Sequence, residues 1–262
     1  MSGNRPRRIL IMPAHNEAGN IERVIQEIRE VAPPLDIVVI NDRSTDDTAR
    51  RAAQLGATVI NLPCNLGYGG AVQTGFRYAV EHGYGVGVLM DADGQHDPRG
   101  IADLLAVVES GQADVALGSR FLGRLEYRAG FVRRLGMAFF RTIVSLLIHQ
   151  RITDPTSGFQ ALSYRVMRFF ATDNYPSDFP DADTIIILAY VGFRIKEVPV
   201  TMRERMSGVS MHANLKPIYY VIKMLLSISI ILLRQRTNAG AHYRPMTAPV
   251  NPPVGADKTA RG

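Results

Sequence analysis

Cysteine is nearly absent from this chain. The 262 residues contain one, Cys64, so an internal disulfide is excluded and the composition fits a reducing compartment. No His or Asp pattern around Cys64 indicates an activated nucleophile. We therefore expect Cys64 to be a small buried residue.

Long hydrophobic runs are also scarce. The apolar run at residues 9–12 is too short for a signal peptide, so we expect the protein on the cytoplasmic side of the membrane. Residues 217–233 would form a helix about 25 Å long, against a hydrocarbon core of roughly 30 Å. This length favours a helix at the membrane interface, or against a small membrane-embedded partner, over a full span. The proline-rich tail from Thr237 is predicted to be disordered.

Neither of two common phosphate-binding loops is present. The glycine-rich stretch at residues 67–70 matches neither the Walker P-loop nor the dinucleotide pattern. It is either a permissive strand-to-helix turn or a loop whose missing side chains let a nucleotide approach the backbone. The net charge of +6 favours anionic partners, and by itself leaves nucleic acid, anionic lipid and phosphorylated substrates open.

Apolar periodicity predicts alternating strands and helices over the first half of the chain. Strands are predicted at 8–12, 37–40, 58–62, 86–90 and 114–118, and helices at 21–31, after 44–47 and at 69–81. Ser44 and Asp47 have capping-box spacing for the second helix. The alternation predicts a mostly parallel sheet with helices on both faces, in which ligands bind beyond the carboxyl ends of the strands.

The sequence DADGQHD at residues 91–97 follows a predicted buried strand. Two carboxylates one residue apart offer hard oxygen ligands to Mg²⁺, and substrate phosphates can fill the remaining coordination positions of the ion. The plain alternative is a polar turn in which Asp97, before Pro98, caps the next helix. Parallel strands would also bring Glu17 and Asp42 to the edge that holds the acidic cluster, and a metal and a nucleotide would explain such a collection.

Seven blocks together resemble the GT-A-fold glycosyltransferases of family 2, particularly polyprenyl-phosphate sugar transferases similar to dolichyl-phosphate mannosyltransferases. They occur in the family's order over about residues 8–212. The blocks are IMPAHNE (11–17), VVINDRSTD (38–46), NLGYGGA (65–71), MDADGQHDP (90–98), GSRF (118–121), DPTSGF (154–159) and RMSGVS (205–210).

The resemblance implies a GT-A fold: a Rossmann-like, mostly parallel sheet flanked by helices, with amphipathic interface helices and a C-terminal hydrophobic helix. It implies a Mg²⁺ or Mn²⁺ cofactor held by Asp91, Asp93 and Gln95. The residues implied for the nucleotide sugar are Pro13, His15, Glu17, Asp42, Asn65, Gly70, Asp91, Ala92, Gln95 and Ser210, with Asp42 at the base and Glu17 on the ribose side. The residues implied in catalysis are Asp93, Arg120, Arg205, Asp181 and Asp183, with Arg120 at an acceptor phosphate and the loop of Arg205 and Ser210 over the donor diphosphate.

Two departures from the family pattern bear on the substrates. Many relatives with saccharide acceptors carry Glu-Asp where this chain has PDAD at residues 180–183, which favours a phosphate acceptor, although Asp181 or Asp183 could still serve as a base. Asn41 stands where relatives often have Asp, so UDP, GDP and dTDP donors all remain open.

A second segment supports contact with a membrane. Residues 131–148 place apolar side chains at helical spacing beside three arginines, which is typical of a helix on an anionic membrane or of a core-facing amphipathic helix. The resemblance favours the membrane. The expected organisation is a catalytic domain at 1–212, a membrane-associated helix at 213–236 and a disordered tail at 237–262.

The expected function is inverting, metal-dependent transfer of a hexosyl unit from a UDP- or GDP-sugar to a polyprenyl phosphate at the cytoplasmic membrane face, for cell-envelope glycans. A small membrane-protein subunit is a further candidate partner, and nucleic acid is not expected as one. Three alternatives stay open: a family 2 enzyme with a saccharide acceptor, a non-catalytic nucleotide-sugar-binding module, and a sugar-nucleotide pyrophosphorylase. The last would be expected to begin with a Gly-rich, Arg-containing loop where PAHNE stands at 13–17.

Overall fold

A computed structural model gives the structure of residues 6–122, 141–172, 174–176, 182–203 and 226. Strands and helices alternate along most of it, as the apolar periodicity predicts. The strands are β1 Arg8–Ala14, β2 Asp36–Asn41, β3 Thr58–Asn61, β4 Val86–Leu89, β5 Val115–Ser119, β6 Gln160–Ser163 and β7 Ile195–Pro199. The helices are α1 Ile21–Val31, α2 Thr48–Gln54, α3 Gly67–Glu81, α4 Gly100–Glu109, α5 Tyr164–Phe170 and α6 Ala182–Val191; residues 141–147 are also helical.

The strands form one sheet in the order β3-β2-β1-β4-β6-β5-β7. The β1–β2, β1–β4, β2–β3 and β5–β7 pairs are parallel, and of the described strands β6 alone runs antiparallel to its neighbours β4 and β5. The prediction of a mostly parallel sheet is confirmed. Strands β6 and β7 were not predicted, because QALS and IKEVP are short and carry polar residues.

Two apolar cores cover the two faces of the sheet. Successive side chains of a strand point to opposite faces, so Ile9 and Ile11 of β1 join one core while Leu10 and Met12 join the other. The first core contains residues of α3, α5 and α6, and the second contains residues of α1 and α4. Each fully buried aliphatic side chain of this size contributes roughly 1.5–3 kcal/mol relative to exposure.

A glycine lets α3 lie close against the sheet. A Cβ atom on Gly75 would be 2.2 Å from Cγ2 of Ile11, a side chain with no exposed surface. Helix α3 therefore packs directly on β1, and this packing sets the position of its N-terminal turn at the carboxyl edge of the sheet.

The start of α2 differs from the predicted capping box. Ser44 Oγ accepts a hydrogen bond from Asn16 N at 2.9 Å, and Asp47 makes no side-chain cap. Asp46 instead accepts from Thr48 N at 3.0 Å. The prediction was wrong because Ser44 is used to hold the turn after β1. Helix α3 also begins earlier than predicted, at Gly67.

Cys64 is exposed, which corrects the expectation of a buried residue. It lies in the loop between β3 and α3, where residues 63–66 are all exposed.

The predicted membrane segments are only partly described. In the segment 131–148, Val144 is buried and Ile143 and Leu147 pack on the first core, whereas Leu146 is 68% exposed. The described end of this segment therefore has a core-facing side as well as an exposed leucine. Within the described residues, no helix combines the length and apolar character needed to cross a membrane. Apart from Leu226, the run at 217–233 lies outside them, as does the tail from Thr237.

Candidate active site

Polar residues follow β1, β2 and β4 at the same edge of the sheet. Because these three strands are parallel neighbours, their carboxyl ends lie side by side. His15, Asp42 and Asp91, which come directly or shortly after them, are brought together at this edge as the alternating pattern predicts. This edge is where open α/β sheets bind ligands.

Asp42 holds the glycine-rich loop. It is 4% exposed, and its two carboxylate oxygens accept hydrogen bonds from Leu66 N at 2.7 Å and Gly67 N at 3.0 Å. These donors are at the N-terminus of α3, where a negative charge is favourable. Asn65 Oδ1 also accepts a hydrogen bond from Gly67 N at 3.0 Å. Gly70 lies in the first turn of α3, where a Cβ atom would be only 2.6 Å from Cβ of Leu66. The residue that follows β2 thus fixes the loop conformation.

His15 lies between the turns that follow β1 and β2. Its Nδ1 is 2.7 Å from the carbonyl oxygen of Asp42, and its Nε2 is 3.2 Å from Nδ2 of Asn16. A carbonyl can only accept, so Nδ1 carries the proton and Nε2 accepts from the amide. Asn16 and Arg43 have φ of 56° and 54°, the left-handed region that is uncommon for residues with a side chain. Thr45 N, which donates to Asn16 Oδ1 at 2.8 Å, helps to hold these turns together.

Two more residues predicted at the nucleoside flank the same edge. Pro13 is buried in β1 beside Ile40 of β2. Glu17 accepts a hydrogen bond from Asn20 Nδ2 at 2.7 Å, and its backbone N donates to Thr48 Oγ1 at 2.8 Å. The Glu17 carboxylate is therefore oriented at the start of α1.

Asp91 has a neighbour on each carboxylate oxygen. Tyr68 donates its hydroxyl proton to Oδ1 at 3.0 Å, and His96 Nε2 is 3.5 Å from Oδ2. The Asp91 side chain is 32% exposed, while Ala92 beside it is buried. The first acid of the cluster thus has a defined orientation and stays partly exposed to solvent.

The acidic cluster fits a divalent metal ion. Asp93 Oδ1 accepts a hydrogen bond from Gln95 N at 3.0 Å, closing a turn in which Gly94 has φ of 76°. Among the described residues there is no group of three or more His, Cys, Asp or Glu side chains that could hold a metal alone. Asp91 and Asp93 are both partly exposed at the sheet edge, and Mg²⁺ is usually held by one or two carboxylates plus substrate phosphates. The carboxylate donors therefore suit an ion that arrives with a diphosphate.

Arg203 holds the far side of the acidic cluster, a role that no local sequence pattern indicates. Its backbone N donates to Gln95 O at 2.7 Å, and its guanidinium contacts Asp97 at 3.2 Å and Glu27 at 2.6 Å. Burial alone would raise the pKa of Asp97, but hydrogen bonds from Arg99 and the charge of Arg203 outweigh it and hold that pKa below its usual range. Asp97 also accepts from Arg99 N at 3.0 Å, shortly before α4. Asp97 thus holds the turn before α4, but it does not cap the helix as the alternative predicts, because the N-cap is Arg99 and no side chain caps it.

Arg120 forms a bidentate ion pair. Its Nε and Nη2 donate to the carboxylate of Asp154 at 2.6 and 2.5 Å, and Nη2 also donates to Thr156 Oγ1 at 2.9 Å. The two side chains are 13% and 1% exposed. Arg120 thus joins the end of β5 to the block at residues 154–159, and its contact with an acceptor phosphate stays a prediction.

The family profile described as "Glycosyl transferase family 2" matches residues 9–175. The chain belongs to glycosyl transferase family 2. It is similar to a polyprenol monophosphomannose synthase of Mycolicibacterium smegmatis, with 32% identity over 78% of this chain and 80% of that protein. It is also 32% identical to an undecaprenyl-phosphate mannosyltransferase of Micrococcus luteus, over 78% of this chain and 86% of that protein.

A solved structure shows the same fold. It is glucosyl-3-phosphoglycerate synthase from Mycobacterium tuberculosis in complex with Mn²⁺, uridine diphosphate and glucosyl-3-phosphoglycerate. The TM-score is 0.62 at 21% identity, covering 88% of this chain and 79% of that chain. The chain is therefore a family 2 glycosyltransferase with an α/β fold that matches GT-A.

Of the remaining predicted site residues, the structure describes Asp183. Asp183 is 2% exposed in the first turn of α6 and accepts a hydrogen bond from Thr184 N at 2.8 Å. Asp181, Arg205 and Ser210 lie outside the described residues, so their roles stay predictions.

Proposed function

We propose that this glycosyltransferase moves a hexosyl unit from a nucleotide sugar to a polyprenyl phosphate, with inversion at the anomeric carbon. The observation that carries the proposal is the acidic cluster at the carboxyl edge, beside a glycine-rich loop held by Asp42. The names of the two bacterial relatives support the lipid phosphate acceptor and favour mannose as the first sugar to test. Cell-envelope glycan synthesis is the process that such a product would supply.

The donor would lie along the sheet edge. His15 and Glu17 flank the proposed nucleoside position. Asp42 supports this position indirectly, because its carboxylate holds the backbone N–H groups of the glycine-rich loop. Asp91 and Asp93, with Gln95, would hold Mg²⁺ or Mn²⁺ near the diphosphate. A bound divalent cation supplies positive charge that stabilises the leaving diphosphate.

The reaction needs little proton transfer. An oxygen of the lipid phosphate bonds to the anomeric carbon as the bond from that carbon to the diphosphate oxygen breaks, which releases a nucleoside diphosphate. A lipid phosphate is already anionic, so positioning is sufficient, whereas a saccharide hydroxyl would require a carboxylate base.

The test is transfer of radiolabel from GDP-, UDP- and dTDP-hexoses to undecaprenyl or decaprenyl phosphate with Mg²⁺ or Mn²⁺. We expect label in the lipid fraction, reduced by about 100-fold or more in Asp93→Ala. Asp103→Ala removes an exposed carboxylate in α4 and should leave the transfer unchanged. Label on a saccharide but not on lipid would contradict the proposed acceptor.

We further propose that the enzyme works at the cytoplasmic membrane face, peripherally or as a monotopic protein, alone or with a small membrane subunit. The exposed Leu146 and the exposed Arg141 in the segment 131–148 support contact with an anionic surface. The protein expressed alone should stay in the membrane fraction after a high-salt wash if its own apolar surface anchors it. Release by the wash would favour a separate membrane subunit.

A further inference from the structure

The hydroxyl group of Tyr68 connects the glycine-rich loop to the acidic cluster. Tyr68 is the second residue of α3, and its hydroxyl donates to Asp91 Oδ1 at 3.0 Å. Its ring is partly buried and packs on the first core, so the hydroxyl is placed by apolar contacts rather than by solvent. The preceding residue, Gly67, donates its N–H to Asp42. The ends of β2 and β4 are thus joined through one turn of helix.

The opposite side of the same carboxylate is also enclosed. His96 Nε2 lies 3.5 Å from Asp91 Oδ2, and the His96 side chain is 5% exposed with its ring 5.0 Å from that of Phe159. A Cβ on Gly158 would lie 3.0 Å from the Tyr68 hydroxyl and 3.4 Å from Asp91 Oδ2. Glycine at position 158 therefore leaves room for the contact between the tyrosine and the carboxylate, which a side chain there would crowd.

We propose that Tyr68 is a positioning residue that orients the Asp91 carboxylate for the divalent cation. This inference rests on the proposed function, because it takes Asp91 as a ligand of that cation. A ligand carboxylate that accepts a hydrogen bond from an anchored hydroxyl loses rotational freedom before the cation binds. Residues that orient metal ligands in this way commonly contribute about 10- to 100-fold to metal affinity.

The experiment measures Mn²⁺ binding to the full-length protein through the EPR signal of free Mn²⁺, at a fixed concentration of nucleoside diphosphate and against a protein-free sample of the same composition. We expect Tyr68→Phe to bind Mn²⁺ about 10-fold more weakly than wild type. Tyr78→Phe is the matched control, because Tyr78 lies in the same helix, packs on the same core and stacks on His82. It should bind Mn²⁺ like wild type. In the transfer assay, the Mn²⁺ concentration for half-maximal rate should rise in Tyr68→Phe, with little change in kcat at saturating Mn²⁺.

Gly158→Ala tests the same contact from the other side. Its methyl group would crowd the tyrosine hydroxyl, which lies 3.0 Å from the Cβ position. We therefore expect weaker Mn²⁺ binding in the single variant and a smaller additional loss when Tyr68→Phe is already present. Thermal midpoints measured without metal show whether each variant is folded.

The outcomes separate the two proposals. If wild type binds Mn²⁺ and Tyr68→Phe binds it within twofold of wild type, the positioning role is overturned while the proposed function stands. If wild type binds no Mn²⁺ and transfers no sugar, both this inference and the proposed function fail.

Discussion

The ion pair between Arg120 and Asp154 should be worth several kcal/mol to the fold when one partner is removed. Asp154→Asn keeps the shape of the side chain but replaces the carboxylate that pairs with the guanidinium, which is 13% exposed, by a neutral amide. Removing one partner of a buried pair costs about 3–5 kcal/mol, and the partial exposure of Arg120 places this case near about 3 kcal/mol. In a domain of this size, that corresponds to a fall of roughly 6–12 °C in Tm.

Urea unfolding followed by far-UV circular dichroism measures this loss directly. The double variant Arg120→Met/Asp154→Asn is the control, because it also removes the guanidinium that loses its paired carboxylate in the single variant. We expect the double variant to be more stable than Asp154→Asn alone. A loss below about 1 kcal/mol in Asp154→Asn, or a double variant less stable than the single one, would refute the assignment of this pair as a structural contact.

Two further predictions concern packing and pH. Gly75→Ala should lower the free energy of unfolding, measured in urea, by about 1–3 kcal/mol, because its methyl group meets Cγ2 of Ile11. Adding Ile11→Leu, which lacks that Cγ2 methyl group, should restore part of the loss. The lowered pKa of Asp97 means that its contribution to stability is fully present above its unfolded pKa, about 3.9, and is lost as pH falls through the folded value. The stability difference between wild type and Asp97→Asn should therefore shrink below about pH 4; a difference equal at pH 7 and pH 3 would contradict it.

The first half of the fold could be predicted because its signals are local. Helix α1 has the bounds that its apolar spacing predicts, and strands β1, β2, β3, β4 and β5 lie within about two residues of their predicted ends. Strand β6 could not be found in this way, because a four-residue segment with polar ends shows no period. The positions of β5, β6 and β7 in the sheet depend on packing between segments that are distant in sequence. A local sequence pattern carries no information about such packing.

Part of the candidate site could also be predicted from local sequence patterns, and part could not. Asp42, Asp91 and Asp93 could be placed at one edge from the strand pattern and the family blocks. The Tyr68–Asp91 and Arg203–Asp97 contacts could not, because each joins residues far apart in sequence. Asp42 shows a further difference: its carboxylate is engaged by two loop N–H groups, which no sequence pattern indicates.

The antiparallel strand β6 has a consequence for synthesis on the ribosome. It inserts between β4 and β5, so the hydrogen-bonding edge of β4 has no partner on that side until Gln160 has been made. At about 5–20 residues per second, the chain between Leu89 and Gln160 takes several seconds to emerge. During that interval the nascent protein carries an open, apolar strand edge at the centre of its future sheet, a type of surface that promotes aggregation. The late arrival of one short strand thus sets how long this edge stays unpaired during synthesis.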